Sequence, residues 1–475
     1  MPTFVRRRLL QAGAISSLTS LLPLMPATAA WEKDAPLDAD VIVVGSGAGG
    51  FTAAIRAAEN GARVLLLEAN TWLGGASRVA TGIFGCAGHP IQQKLGIKTM
   101  PEDLYQLYIG TAAATNTQAD PAAARILADG AIGAADWLAS LGVRWSTKKA
   151  QPFFLNIEEG FRLGQLLIPS LEKRARELKV TMKTQHRATA LLTTDGRVSG
   201  VKVQTSDGER NFRARAVVLA TGGFEANPEM IARYIGNDWD KAGVYCTPMN
   251  RGDGQRMAEA IGAELADMSV FKANPTIHLV NGNKVNFIAA VRAGAIAVNT
   301  RGERFMNEAG GYSQSLKIWA QPERKVFLIF GEPALKADHR FSELLARGSI
   351  QEAADLPHLA QQLGIPAATL ATTVESTVRA VADKTPDPFG RKGLVNGFGG
   401  KFYAARIEPM MQGTFGGVRT NTRTEALRAS GEVIPGLFAV GECAAAGLRG
   451  VNPQTANVVF GSIAGRESAK FALKA

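Results

Sequence analysis

Runs of consecutive apolar residues, rather than alternating ones, mark the strands of this chain. Residues 41–44 (Val-Ile-Val-Val) form such a run, as a parallel strand buried on both faces requires. A helical pattern over 49–60 and a second apolar strand over 63–67 follow. Two further runs lie far downstream, at 216–219 and 437–440. Thr194-Asp195-Gly196 and Ser206-Asp207-Gly208 punctuate β runs at 198–204 and 211–218 and predict hairpin turns. Strand patterns at 295–299 and 325–330, with helical patterns at 341–347 and 366–382, predict a mixed segment before the last strand.

The turns that follow these strands carry the chemistry. Gly45, Gly47 and Gly50 supply G-x-G-x-x-G where the first strand meets its helix, with Ala48 and Gly49 between them. The first glycine permits the tight turn, the second admits a pyrophosphate to the backbone, and the third allows close helix-to-strand packing. The helix then points its positive N-terminus at the phosphates. Glu68 ends the second strand eighteen residues after Gly50, placed to accept hydrogen bonds from an adenosine ribose. Strand, glycines, helix, strand and terminal acid in register predict a dinucleotide site. Ala69, Gly74-Gly75-Ala76-Ser77 and Ala80-Thr81-Gly82 come immediately afterwards. Ala220-Thr221-Gly222-Gly223 and Gly441-Glu442 follow the two distant strands. Such returns are expected of FAD, which extends beyond what an NAD domain encloses.

At 475 residues the chain is long enough for two cores. Cys86, Cys246 and Cys443 lie far apart and form no metal, haem-attachment or evident disulfide pattern. Arg6-Arg7-Arg8-Leu9-Leu10, a mildly apolar stretch and Pro26-Ala27-Thr28-Ala29 predict an export signal over 1–30. Paired arginines followed by leucines indicate the twin-arginine route, which carries folded proteins, and an ordinary secretory signal is the alternative. No later stretch is apolar for long enough to span a membrane, so the mature protein is expected to be soluble and periplasmic. The formal net charge of +11 is spread along the chain without a nucleic-acid motif. It points instead to an anionic cofactor, an anionic small-molecule substrate and an acidic redox partner.

Taken in order, the Gly45 fingerprint, Gly74-Gly75-x-Ser77, Ala220-Thr221-Gly222-Gly223, Gly252-Asp253-Gly254, Ala290-Val291-Arg292, Gly416-Gly417-Val418 and Gly441-Glu442 resemble the fumarate reductase/succinate dehydrogenase flavoprotein family. The similarity is strongest to its soluble periplasmic reductases and extends along the whole mature chain. It implies an α/β fold: a Rossmann-type FAD-binding domain over 36–270 and 412–475, with an inserted α+β capping domain over 271–411. It also implies non-covalent FAD, with the ribityl chain near Glu442, the ring near Ser77 and Ala80, and Asp253 among the cofactor contacts. Residue 77 is a serine, and no histidine stands in the position used for covalent attachment.

The catalytic positions implied by the family are largely changed. Its His-Pro-Thr motif reads Asn274-Pro275-Thr276, and its Glu-Ala-Val-Arg reads Ala289-Ala290-Val291-Arg292. The proton-donor arginine falls on Tyr312, a substrate histidine is replaced in Gln412-Gly413, and a late substrate arginine reads Pro453. A dicarboxylate would then leave one buried charge unpaired, so fumarate is not expected as the substrate. Tyr312 and Arg292 are the catalytic candidates; Asn274, Thr276, Gln412 and Arg449 are the substrate-binding ones. Each has a structural alternative: a packed ring for Tyr312, an ion pair for Arg292. His278 and His89 stand between replacing a lost histidine and a core or surface role. Arg162 stands between facing the cleft and pairing with Glu158 or Glu159. The expected function is reduction of an activated C=C bond in a small organic acid or enone, fed by a c-type cytochrome or quinol-linked donor. A dehydrogenase working in the reverse direction and a non-catalytic electron-transfer flavoprotein are the alternatives.

Overall fold

The computed structural model describes residues 36–114, 119–280, 282–445 and 452–474. The signal expected over 1–30 and Arg449 lie outside the described residues. A six-stranded sheet organises the cofactor end of the molecule. Its core elements are β1 (Val41–Val44), α1 (Ala48–Glu59), β2 (Val64–Leu67), β3 (Thr181–Lys183) and β4 (Ala216–Leu219). A second sheet is built on β5 (Phe271–Val280), β6 (Val326–Gly331) and β7 (Phe402–Thr414), after which β8 (Glu425–Leu427), β9 (Val433–Ala439) and the C-terminal helix α2 (Pro453–Lys474) complete the first. The strand order of the first sheet is β8-β9-β4-β1-β2-β3, parallel except for β8.

All four residues of β1, β2 and β4 are buried, and successive side chains enter different cores. Val41, Val43 and Leu66 pack with α1 and α2, whereas Ile42, Val44, Leu65 and Leu67 pack with Val201, Val203 and Phe212 of an antiparallel meander. Burial on both faces explains why the sequence signal is an unbroken apolar run. The meander comprises Arg187–Thr194, Arg197–Thr205 and Gly208–Arg213, joined by the two predicted turns. The single β run predicted over 211–218 is divided. Ala214 N–H still bonds Ser199 of the meander, but Ala216 N–H bonds Asp40, so the chain changes sheets within two residues.

The second sheet is antiparallel, in the order Asn283–Asn286, β5, β7, β6, Ile296–Val298. Strand β7 runs through position 411, where the sequence places the end of the cap, and keeps pairing with β5 to Thr414. It therefore carries residues 412–414 from the second sheet to the edge of the cofactor site.

Candidate functional site

Parallel pairing aligns the carboxyl ends of β1, β2, β4 and β9, and the turns that follow them open on one cleft of about 540 Å³. Gly45 to Gly49, Glu68, Ala69, Gly75, Ala76, Ser77, Ala80, Thr81, Gly82, Ala220, Thr221, Gly222, Asp253, Gly441 and Glu442 all line it. Gly50, Gly74 and Gly223 do not, and act behind it. A Cβ on Gly50 would lie 1.9 Å from the Gly45 carbonyl oxygen, and one on Gly223 would lie 2.4 Å from Thr414 Oγ1. Gly45 itself has φ +102°, and its absent side chain leaves room for the Ala220 carbonyl at 2.3 Å from the Cβ position. Gly47 differs: its Cβ position has only Ser77 Oγ at 3.8 Å, so the space beside it is cleft rather than protein.

Glu68 is held by three donors: Ser46 Oγ at 2.5 Å, Ser46 N–H at 3.0 Å and Asn70 N–H at 2.9 Å. Ser77 Oγ accepts from the Ala48 N–H at 3.1 Å, steadying the first turn of α1. At the far end, a bulge in β7 leaves Gln412 unpaired between Gly413, opposite Lys272, and Met411, opposite Ala273. Bulges re-aim side chains, and Gln412 lines the cleft with its Oε1 buried and without a partner among the described residues. Gln454 Oε1, at the start of α2, is in the same condition. A glycine turn at a helix N-terminus, a pre-organised carboxylate and buried acceptors awaiting donors fit a dinucleotide with a polar tail.

Tyr312 lines the cleft and is 49% exposed. Its neighbouring cation is Lys272, whose Nζ lies 5.7 Å from the ring centroid; Arg292, the other catalytic candidate, is exposed and does not line the cleft. Asn274 and Thr276 are buried and lie outside the lining. Asn274 Oδ1 accepts from both Thr276 N–H and Thr276 Oγ1, whose hydroxyl also reaches Asn286, so the pair shapes a bend in β5. Buried His278 donates to the Arg406 carbonyl, and His89 caps a short helix and meets Asp136 at 3.1 Å. Glu158 pairs with Arg144, leaving Arg162 on the cleft.

Four groups at the site escaped the sequence reading. Asn250, Cys246 and Lys272 line the cleft, and Glu225, 2% exposed, lies behind it. Glu225 Oε1 accepts from Asn250 Nδ2 at 2.7 Å, while Oε2 has no hydrogen-bond partner within normal distance among the described residues. Burial, then the nearby Glu442 carboxylate, push Glu225 up to about 8; burial also raises Glu442, with Lys272 opposing. Burial and both carboxylates push the Cys246 thiol up, so it stays protonated and non-nucleophilic. The only sequence signal for Glu225 is its place directly after Gly-Gly-Phe, where the Phe224 N–H bonds Thr414 Oγ1 at the end of β7.

With this geometry in hand, the comparisons with known proteins agree. An FAD-binding domain model matches residues 40–459. A "Fumarate reductase (cytochrome)" of Shewanella frigidimarina is 31% identical, over 92% of this chain and 78% of its own. A "Urocanate reductase" of Eggerthella lenta is 31% identical, over 92% and 75%. The solved open conformation of a flavocytochrome c3 fumarate reductase superposes with a TM-score of 0.78 at 29% identity, covering 92% of this chain and 78% of that one. The chain belongs to the fumarate reductase/succinate dehydrogenase flavoprotein family. It uses FAD and is an oxidoreductase acting on CH–CH bonds.

Gly47→Val should yield a folded protein without flavin, because the new side chain enters only the cleft; Gly50→Val should fail to fold, because its side chain meets backbone. Circular dichroism and flavin absorbance of the two purified variants check both outcomes. Glu225 is raised above the ~4.3 of a free glutamate, so its contribution to stability is complete below that value and is lost as pH rises through about 8. Glu225→Gln cannot ionise and should melt progressively higher than the parent between pH 5 and pH 9. Parallel melting curves across that range would show that Glu225 ionises without cost.

Proposed function

We propose that the protein reduces an activated C=C bond in a small organic acid, with electrons from an external c-type cytochrome or quinol-linked donor. The observation that carries this reading is that Tyr312 and Gln412 share one continuous cleft with the glycine turns and Glu442. FAD, when bound and reduced, supplies the hydride to one alkene carbon. The other carbon needs a proton, and Tyr312 places a hydroxyl on the cleft wall with access to solvent for its own reprotonation. Gln412 offers a neutral amide rather than a second cation, which supports an acid with fewer charges than fumarate. The relatives named for urocanate and fumarate reduction support the reaction class. Ser77 uses its oxygen to cap α1, which supports FAD held without a covalent link.

A panel of unsaturated acids and enones, with reduced viologen as donor, tests this reading. Several small unsaturated acids should be turned over, and fumarate only poorly. Oxidation of the viologen by none of them would point to an electron-transfer role instead. Tyr312→Phe should lower turnover by roughly 10²-fold, the usual worth of a general acid. Chemical reduction of its bound flavin should be unchanged. Near-parental turnover would assign Tyr312 to packing.

We further propose that residues 1–30 direct export by the twin-arginine route, so that FAD is loaded before the folded protein reaches the periplasm. Replacing Arg6, Arg7 and Arg8 with lysine should retain a flavin-loaded precursor in the cytoplasm, measured by fractionation. Normal export of that variant would show that the chain crosses unfolded and acquires FAD afterwards.

A further inference from the structure

We infer that Lys272 receives the anionic group of the substrate, and that the substrate is therefore a 2-enoate carrying a single carboxylate. The inference rests on the cleft being a site of C=C reduction and adds the residue and the substrate class.

The geometry begins with β5 and β7. Lys272 stands directly opposite Gly413 in the antiparallel ladder, and the next pair is Ala273 with Met411. A Cβ on Gly413 would lie 3.3 Å from Lys272 Cε and 2.9 Å from Glu442 Oε1. The lysine stem thus runs through the space that any side chain at 413 would contest, and its head reaches the cleft. Its Nζ is 5.7 Å from the Tyr312 ring centroid and 5.6 Å from that of Phe415. Two aromatic faces hold the cation in place without neutralising it.

The other cations of the lining are differently placed. Arg187 is paired with Asp253 at 2.9 Å, and Lys284 donates to the Val244 carbonyl. Arg162 is exposed at the start of the helix Leu163–Glu177. Lys272 makes no ion pair within 4 Å among the described residues, and it is the cation beside Tyr312. Glu442 is the carboxylate that faces Lys272, but the two form no direct ion pair, so the ammonium keeps a place for one carboxylate of a ligand. A second carboxylate in the same space would face Glu442 and the neutral Gln412. As hydride reaches the β-carbon of an enoate, negative charge moves onto the carboxylate oxygens, where a fixed ammonium stabilises it more than in the ground state. Lys272 thereby affects turnover as well as binding.

The test uses FAD-loaded protein and the acid–amide pairs of acrylate, crotonate and cinnamate. Binding is read from the shift of the oxidised flavin band, which needs no turnover, and kcat and KM are read with reduced viologen. The parent should bind and reduce acids in preference to amides. Lys272→Gln should weaken acid binding roughly 10-fold or more and leave amides within about twofold, as loss of one charge-assisted contact requires. Lys272→Arg should retain most of the acid preference, and flavin content and melting temperature of both variants should match the parent. An acid preference that survives in Lys272→Gln, or that disappears instead in Arg162→Gln, overturns the assignment. So does a parent whose flavin band responds to no 2-enoate. A parent that binds enoates through Lys272 but reduces none of them would instead remove the reductase reading and leave the binding assignment standing.

Discussion

Three backbone hydrogen bonds at the carboxyl edge of the parallel sheet hold the site together. Gly45 N–H bonds Leu67, Ala220 N–H bonds Val44, and Val440 N–H bonds Leu219, at 2.8, 2.8 and 2.9 Å. Each ties the first residue of one turn to the last residue of the neighbouring strand. Segments separated by up to about four hundred residues are thus fixed at one edge, where open α/β sheets bind their ligands. The price is steric, because the turns approach so closely that Gly45 and Gly50 have no room for a Cβ.

The cleft has two ends of different character. Around Glu68 the protein is pre-organised: the carboxylate already has its donors and α1 is already capped. Around Gln412 and Gln454 it is unfinished, with buried amide oxygens lacking partners among the described residues. That contrast suits an enzyme that keeps its cofactor and exchanges its substrate, since satisfied groups rigidify and unsatisfied ones await a ligand. Lys272, Tyr312 and the Glu225–Glu442 pair stand at the unfinished end, so the charge balance there changes with whatever binds.

A bulge is the device that connects the two sheets to one chemistry. Side chains of a regular strand alternate, which would place Lys272 and Asn274 on one face. The register shifts between Lys272 and Ala273, so the lysine reaches the cleft while Asn274 turns inward to hold Thr276. The same irregularity in β7 turns Gln412 into the cleft and leaves Gly413 opposite the lysine. One local irregularity thus changes which of two polar residues meets the ligand.

The sequence by itself determined the dinucleotide half of the protein. Strand, glycine turn, helix and terminal acid are local features, and each leaves a periodicity or a residue type that physics restricts to few alternatives. The returns at Ala220 and Gly441 were legible for the same reason, as apolar runs ending in small residues. The substrate end was decided by tertiary structure. Arg292 is evident as a residue, but its exposure depends on how the helix Ile288–Arg292 packs, which no local pattern records. Glu225 and Lys272 carry no motif; burial makes one an unusual acid and a cross-strand glycine makes room for the other. Side-chain role at such positions is set by what crosses from distant segments, so it emerges only when the two sheets meet.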